Sequence, residues 1–276
     1  MATTLLTGLD LRSYASEITP SVAKESAFLR ALQANGQNIK VMPKSETRSV
    51  FRGIDLSDET QVLNEGDTKD LTGSMAPDSI ELILKKFVNS GTLSNEYAES
   101  TLGSALADLV ASEAPKYFGS ALDRIVSGVT VAPAGITGYS GAALANVATY
   151  KDLMDAIAQA AAGGTSPNAI VMSSKMYFSL KGLVATDGHP IFLGTDTIGD
   201  LPVFTFNSSV AVGIIFDTND AFAATNEMGT QIRENPYGAG WGSNSTQVLV
   251  EGFYAYGALS PATRAVRITT NNEVTV

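Results

Sequence analysis

A chain of 276 residues, 44% of them hydrophobic, can build one large domain or two smaller ones around a sizeable core, which excludes a disordered protein. The absence of cysteine excludes disulfides, thiolate metal sites and a thiol nucleophile. A formal net charge of -10 argues against a protein whose main task is gripping phosphate backbones, since that binding relies on clustered Lys and Arg; nucleic acid near this chain is enclosed or repelled.

Residues 1–18 are mostly small and polar (MATTLLTGLDLRSYASEI) and read as an extended arm. They lack the basic n-region of a secretion signal, and no later stretch approaches the roughly 18 consecutive apolar residues of a membrane helix. Thr19 as N-cap and Pro20 at the first helical position open a short helix through Val22, Ala23, Ala27, Phe28, Leu29, Ala31 and Leu32, closed by Gly36. So short a helix needs an apolar partner, which is expected to come from another subunit.

Charge is unevenly placed around this helix. Over residues 24–52, Lys24, Arg30, Lys40, Lys44, Arg48 and Arg52 stand against Glu25 and Glu46. Over residues 53–81 the order reverses, with Asp55, Asp58, Glu59, Glu65, Asp67, Asp70, Asp78 and Glu81 against Lys69 alone. With Gly53, Gly66, Gly73 and Pro77 and few large apolar side chains, the acidic part cannot bury itself and is expected to project as a two-stranded loop. It is either a solvated acidic loop or a loop lying across a neighbouring subunit.

Ile80, Leu82, Leu84, Phe87 and Val88, with Glu81, Lys85 and Lys86 between them and Ile83 breaking the alternation, read as a half-buried strand. From Ser94 the period changes. Leu102, Ala105, Leu106, Leu109, Val110, Ala114, Tyr117, Phe118, Ala121, Leu122 and Ile125 form one apolar stripe on a helix of roughly 30 residues, about 45 Å long, ending at Gly128. Pro115 is expected to bend or divide it. VTVAPAGITGYSG then marks a domain boundary. A helix over 149–162, a buried strand over 169–172, a helix over 174–184 and a turn at Asp187-Gly188-His189-Pro190 suggest an α/β subdomain. The remainder reads as strands over 201–206, 212–216, 231–233, 246–256 and 265–269.

Catalysis is hard to assemble from these residues. His189 is the only histidine, and the nearest imitation of a nucleophile elbow, Gly138-Tyr139-Ser140-Gly141-Ala142, lacks the closing glycine. His189 therefore reads as a turn residue. No Walker A sequence is present, a histidine-rich zinc site is impossible, and Gly238, Gly240 and Gly242 are wrongly spaced for a dinucleotide loop. Asp67 and Asp70 lack the order of a Ca²⁺ loop, and the triplets at Asn207 and Asn244 mean little without a secretion signal. No enzyme activity, cofactor or metal is expected.

The order of the whole chain resembles the major capsid proteins of tailed bacteriophages with the Hong Kong 97-type fold. FVNSGTLSNEYAES leading into the long helix, Gly128 with PAGI at 133–136, AIVMSSKMYFSLKGLVATDGHPIF at 169–192 and DLPVF at 200–204 carry the resemblance. VLNEG at 62–66 and GIIF at 213–216 add to it. It implies an α+β fold: an N-terminal arm and short helix (1–36), an extended β-hairpin loop (37–79) and a peripheral domain with a long spine helix (80–129). An axial α/β domain (130–220), a return through the peripheral domain (221–259) and a last strand rejoining the axial domain (260–276) complete it.

The resemblance further implies a homo-oligomer of pentamers and hexamers in an icosahedral shell. Such a shell encloses double-stranded DNA without sequence-specific binding, in a virion assembled in the host bacterial cytoplasm with no membrane. Family members often begin with a long helical scaffolding segment or follow a protease site, whereas here Met1 stands about 20 residues before the first helix signal. With Met1 as the start, the resemblance implies a separate scaffolding protein alongside a portal and a decoration protein; otherwise a prodomain precedes it. In some members a loop lysine is cross-linked to a neighbour's asparagine; Lys69 is the only lysine in the acidic part of the loop here, and no matching motif surrounds it. An encapsulin-type nanocompartment shares the fold, and a soluble enzyme or a tail or surface-layer protein are rivals of other classes.

Inter-subunit contact candidates are Asp55, Asp58, Glu59, Glu65, Asp67, Lys69 and Asp70 on the loop and Lys85, Lys86, Lys116 and Arg124 as the basic residues of the next subunit. Asp67→Lys combined with Asp70→Lys is expected to lower particle yield most at low salt, where repulsion is least screened. Equal yields across a salt series would remove these residues from the interface.

Overall fold

The computed structural model describes residues 22, 24–56, 75–94, 102–163, 166–183, 197–227, 231–235 and 245–270. Helix α1 spans Ala27–Ala34, with Ser26 as its N-cap; Val22, Lys24 and Glu25 before it are also helical, while Thr19 and Pro20 lie outside the described residues. At its C-terminus the amide of Gly36 donates to Gln33 O and that of Gln37 to Leu32 O, with Gly36 at a φ of 78°. This is the Schellman closure that glycine favours.

The apolar face of α1 is covered by its own chain, not by another subunit as expected. Phe28 is fully buried, and its ring lies 5.8 Å from each of Tyr139, Phe216 and Tyr256 and 6.4 Å from Phe206. The aromatic residues that cover it come from distant parts of the chain, so periodicity around α1 carries no trace of them.

One sheet has β12 (Ser245–Ala258) at its centre. β10 (Ala221–Asn226) pairs with it over 254–258 and β11 (Gln231–Asn235) over 247–251, both antiparallel, so the two follow one another along one side. β4 (Lys85–Ser94) pairs with 245–254 on the other side, and β1 (Lys40–Met42) adds to β10 in parallel. A separate antiparallel pair is formed by β2 (Arg48–Leu56) and β3 (Met75–Ile83), which runs into β4 after a single residue, Leu84. Ile80, Leu82, Leu84 and Phe87 are buried and Val88 is exposed, so the alternation read in the sequence serves two strands in succession.

The second sheet has the order β5-β13-β9-β6-β8-β7, from β5 (Ala143–Asn146), β13 (Ala265–Thr269), β9 (Val212–Phe216), β6 (Ala169–Ser173), β8 (Leu201–Phe206) and β7 (Thr197–Ile198). β6, β9 and β13 are buried at every residue, as continuous apolar runs require. Helix α3 (Tyr150–Ala162) starts from a capping box between Thr149 and Asp152, and α4 (Ser174–Lys181) from Ser173. Leu153, Ala156 and Ala160 of α3 and Met176 and Leu180 of α4 pack on Ile170, Met172, Ile215 and Ile268. A four-residue helix, α5 (Pro261–Arg264), precedes β13.

Helix α2 (Leu102–Val126) has 25 residues and runs through Pro115 without being divided. Ala114 just before the proline and Phe118, Leu122 and Val126 beyond it all enter the main core, and packing of this kind outweighs one lost hydrogen bond. Phe118 meets Phe87 at 6.4 Å and Tyr254 at 6.1 Å, which seats α2 on the β4–β12 half of the first sheet. Gly128, with a φ of 75°, ends the helix, and the buried guanidinium of Arg267 donates to Gly128 O at 3.1 Å. Gly138 then passes so close that a Cβ would stand 2.4 Å from Val126 O. Phe28→Ala is expected to cost about 3–5 kcal/mol, read as the shift of the denaturant midpoint of the monomeric chain; a loss below about 1 kcal/mol would mean that the aromatic junction closes without it.

Candidate functional site

The sequence-derived contact residues fall in two places. Asp55 is on β2, opposite Ala76 in the register of the hairpin. Asp58, Glu59, Glu65, Asp67, Lys69 and Asp70 lie between the two hairpin strands, outside the described residues, as does His189. At the hairpin base Arg48 faces Glu81 at 3.3 Å, both exposed, and Lys40 Nζ donates to Ser49 Oγ at 2.6 Å. Such exposed contacts order the hairpin base but add little stability.

Lys85 and Lys86 stand at the start of β4, where the hairpin joins the first sheet. Lys86 forms an ion pair with Glu251 of its own chain, a residue of β12 that is 3% exposed. Val88 is directly opposite Glu251 and Phe253 opposite Lys86, so the pair is a diagonal cross-strand contact. The spacing of neither residue signals the other; only the sheet register brings them together. Lys85 and Arg124 have no salt bridge among the described residues.

The other candidates lie on the exposed face of α2. Lys116 is bonded to Glu113 at 2.8 Å, and this bond holds its ammonium above the ordinary lysine value. The i, i+3 spacing of that pair is legible in the sequence. Tyr117 is 60% exposed beside it, and Arg124 lies two turns further on, about 12 Å along the helix axis, in the last turn. This face presents a mixed charged and aromatic stripe of the kind found in protein interfaces.

Next to the stripe is a cleft of about 450 Å³ between α1, α2, β8 and the start of α4. Lys24, Arg30 and Lys116 oppose Glu25, Glu113 and Asp123 around it, so its charges are balanced. Arg30 donates from Nη2 to Thr205 O at 2.8 Å, tying α1 to the second sheet. At the floor Asp123, 1% exposed, accepts from Ser26 Oγ at 2.6 Å, Ala27 N at 2.9 Å and Phe28 N at 3.3 Å. Burial pushes this carboxyl up to about 6 against those hydrogen bonds. Its role was not read from the sequence, where nothing links it to Ser26.

Among the described residues no nucleophile is placed with a base. Tyr139, in the imitation of the nucleophile elbow, is a core residue whose hydroxyl pairs with that of Tyr256 at 3.1 Å. No group of three or more metal-ligating side chains occurs among the described residues. Among the described residues the exposed features are strand edges, a hairpin and a helix face.

The architecture defines a class: a mixed helix and sheet fold with a hairpin beside one sheet and a long helix across it. It matches a chain from Mycobacterium phage Adephagia with a TM-score of 0.66 at 16% identity, over 91% of this chain and 91% of that one. It also matches a chain from Gordonia phage Cozz (TM-score 0.65, 12% identity, 90% and 88% covered) and the capsid of an empty GTA particle (TM-score 0.63, 14% identity, 88% and 89% covered). No family model and no curated protein sequence matches the chain. The chain has the α+β fold of phage capsid structures, as the sequence resemblance implies.

Lys86→Ala is expected to lower the stability of the monomeric chain by about 1–2 kcal/mol, less than for a fully buried pair because the lysine is half exposed. Lys86→Arg should restore most of it. An unchanged melting temperature in Lys86→Ala would free Lys86 for contacts outside its own chain.

Proposed function

We propose that the chain is a major capsid protein that assembles as pentamers and hexamers into an icosahedral shell around the double-stranded DNA of a tailed bacteriophage. The observation that carries the reading is the fold match over about nine-tenths of the chain to phage chains and to the capsid of a GTA particle. On this reading the protein is structural, not an enzyme, and its place is the virion.

The physical layout agrees. A two-stranded hairpin has no core of its own, so the entropy of ordering it is offset when it covers a neighbouring copy. The acidic hairpin residues, including Asp55, then approach basic residues of the next copy. Arg124 and Lys116 on the exposed face of α2 suit that role, and Lys85 lies at the hairpin junction. Lys86, held by Glu251, serves first to join β4 to β12. The net charge of -10 suits a wall that encloses DNA without gripping it. The extended loop, peripheral, axial and return segments take the roles that the resemblance implies, with a separate scaffolding protein, portal and decoration protein as partners.

Negative-stain microscopy of the protein expressed with its neighbouring genes is expected to show closed shells, with nuclease-protected DNA in those from infected cells. Tubes, sheets or a small stable oligomer would overturn the reading, and shells filled with copurifying enzymes would turn it to an encapsulin-type compartment.

A further inference from the structure

Asn35-Gly36 is the only Asn-Gly step in the chain, and it stands at the closure of α1. In an unfolded chain this dipeptide is chemically unstable, because glycine has no side chain to shield its amide nitrogen from the side-chain carbonyl before it. Gly36 N bonds to Cγ of Asn35, and the side-chain NH2 and the Gly36 amide proton leave together as ammonia. Water then opens the succinimide ring at either carbonyl, giving aspartate or isoaspartate. The two steps need no reactant other than water.

The fold opposes each part of this reaction. The attacking nitrogen is occupied, since Gly36 N donates to Gln33 O at 3.1 Å. The leaving nitrogen is held as well, Asn35 Nδ2 donating to Ala31 O at 3.0 Å. At a ψ of 17° on Asn35, Gly36 N nearly eclipses that residue's own amide nitrogen, whereas ring closure requires it to eclipse Cβ. Gly36 itself is exposed, and a Cβ there would meet nothing within 4 Å, so hydrogen bonds and torsion provide the protection and burial does not. We propose that Asn35-Gly36 is a latent deamidation site, inert while α1 is closed and converted in copies of the chain whose α1 has opened.

Conversion works against closing again. Aspartate in place of Asn35 gives up the bond to Ala31 O and sets a negative charge against the negative end of the helix. Isoaspartate adds a methylene to the backbone before Gly36, which displaces the amides of Gly36 and Gln37 from Gln33 O and Leu32 O. A helix of 8 residues that loses these end bonds holds Phe28 less firmly between the sheets. A copy that has once opened here is thus marked for good.

The test follows Asn35 in the full-length monomeric chain at pH 8 and 37 °C, by mass spectrometry of the peptide that contains it and by isoaspartyl methyltransferase labelling. Conversion in buffer is expected to be at least about tenfold slower than in guanidinium chloride. Phe28→Ala, which leaves the dipeptide intact and loosens α1, should raise the rate in buffer; if it does not fold, guanidinium concentrations below the unfolding midpoint of the wild type make the same comparison. Equal rates in buffer and denaturant overturn the proposal, as does a rate in buffer that neither Phe28→Ala nor the denaturant series raises. Chains aged while unfolded and then refolded should show a lower denaturant midpoint, whereas Asn35→Gln aged in the same way should keep its own. An unchanged midpoint in the aged wild type overturns the mark, and an equal loss in Asn35→Gln assigns the damage to another asparagine and overturns it too.

Discussion

The packing of Phe28 between the two sheets is the contact on which the rest of the fold depends. Tyr256 comes to it from the first sheet, Phe206 and Phe216 from the second, and Tyr139 from the segment that follows α2. Each sheet also has a smaller cluster of its own, around Leu82 and Met42 in one and Leu153 and Met172 in the other. The shared cluster is the one that fixes how the sheets meet. It is carried by a helix of eight residues, too short to be stable by itself in water. α1 therefore depends on its end groups, Asp123 at one end and the Gly36 closure at the other, while the sheets depend on α1 for their common core.

Much of this was legible in the sequence, for reasons that differ from element to element. β6, β9 and β13 appear as continuous apolar runs because both of their faces are covered, and α3 announces its start through the spacing of Thr149 and Asp152. The hairpin showed itself through a lack of apolar residues and not through their pattern. β1, β5 and β10 were not legible: they are short and carry Ala, Asn or Lys in place of a run of branched residues, and they are strands because long partners hold them. The start of α1 at Ser26 was also hidden, since the carboxylate that selects it lies 97 residues away. Of the candidate contacts, the Glu113–Lys116 pair follows from helical spacing, whereas the partner of Lys86 follows only from sheet register. Pro115 was read by local propensity, which the packing of Phe118, Leu122 and Val126 overrides.

The division of labour between core and surface agrees with the proposed role in a shell. The core contains the aromatic junction and the fully buried strands. The surface keeps a two-stranded hairpin that is outside both sheets, an open edge on β4 among the described residues and a helix face with Tyr117 and Arg124 on it. Open edges are hazardous in a free monomer, where they invite indiscriminate pairing, and are resolved when a partner covers them. The acidic charge of the chain and the strong polarity of the hairpin then discourage contacts other than the complementary one.

The place of β13 has a consequence for synthesis. It lies inside the second sheet, between β5 and β9, and β5 has no other strand partner among the described residues. During synthesis β5 and β9 are made before β13, so β5 stays unattached and one side of β9 remains bare until β13 emerges. Ala265, Val266 and Ile268 then fill both cores at once. β5 thus joins the sheet only through a strand that is made well over a hundred residues later, and a chain cut short before β13 lacks the piece that closes both cores.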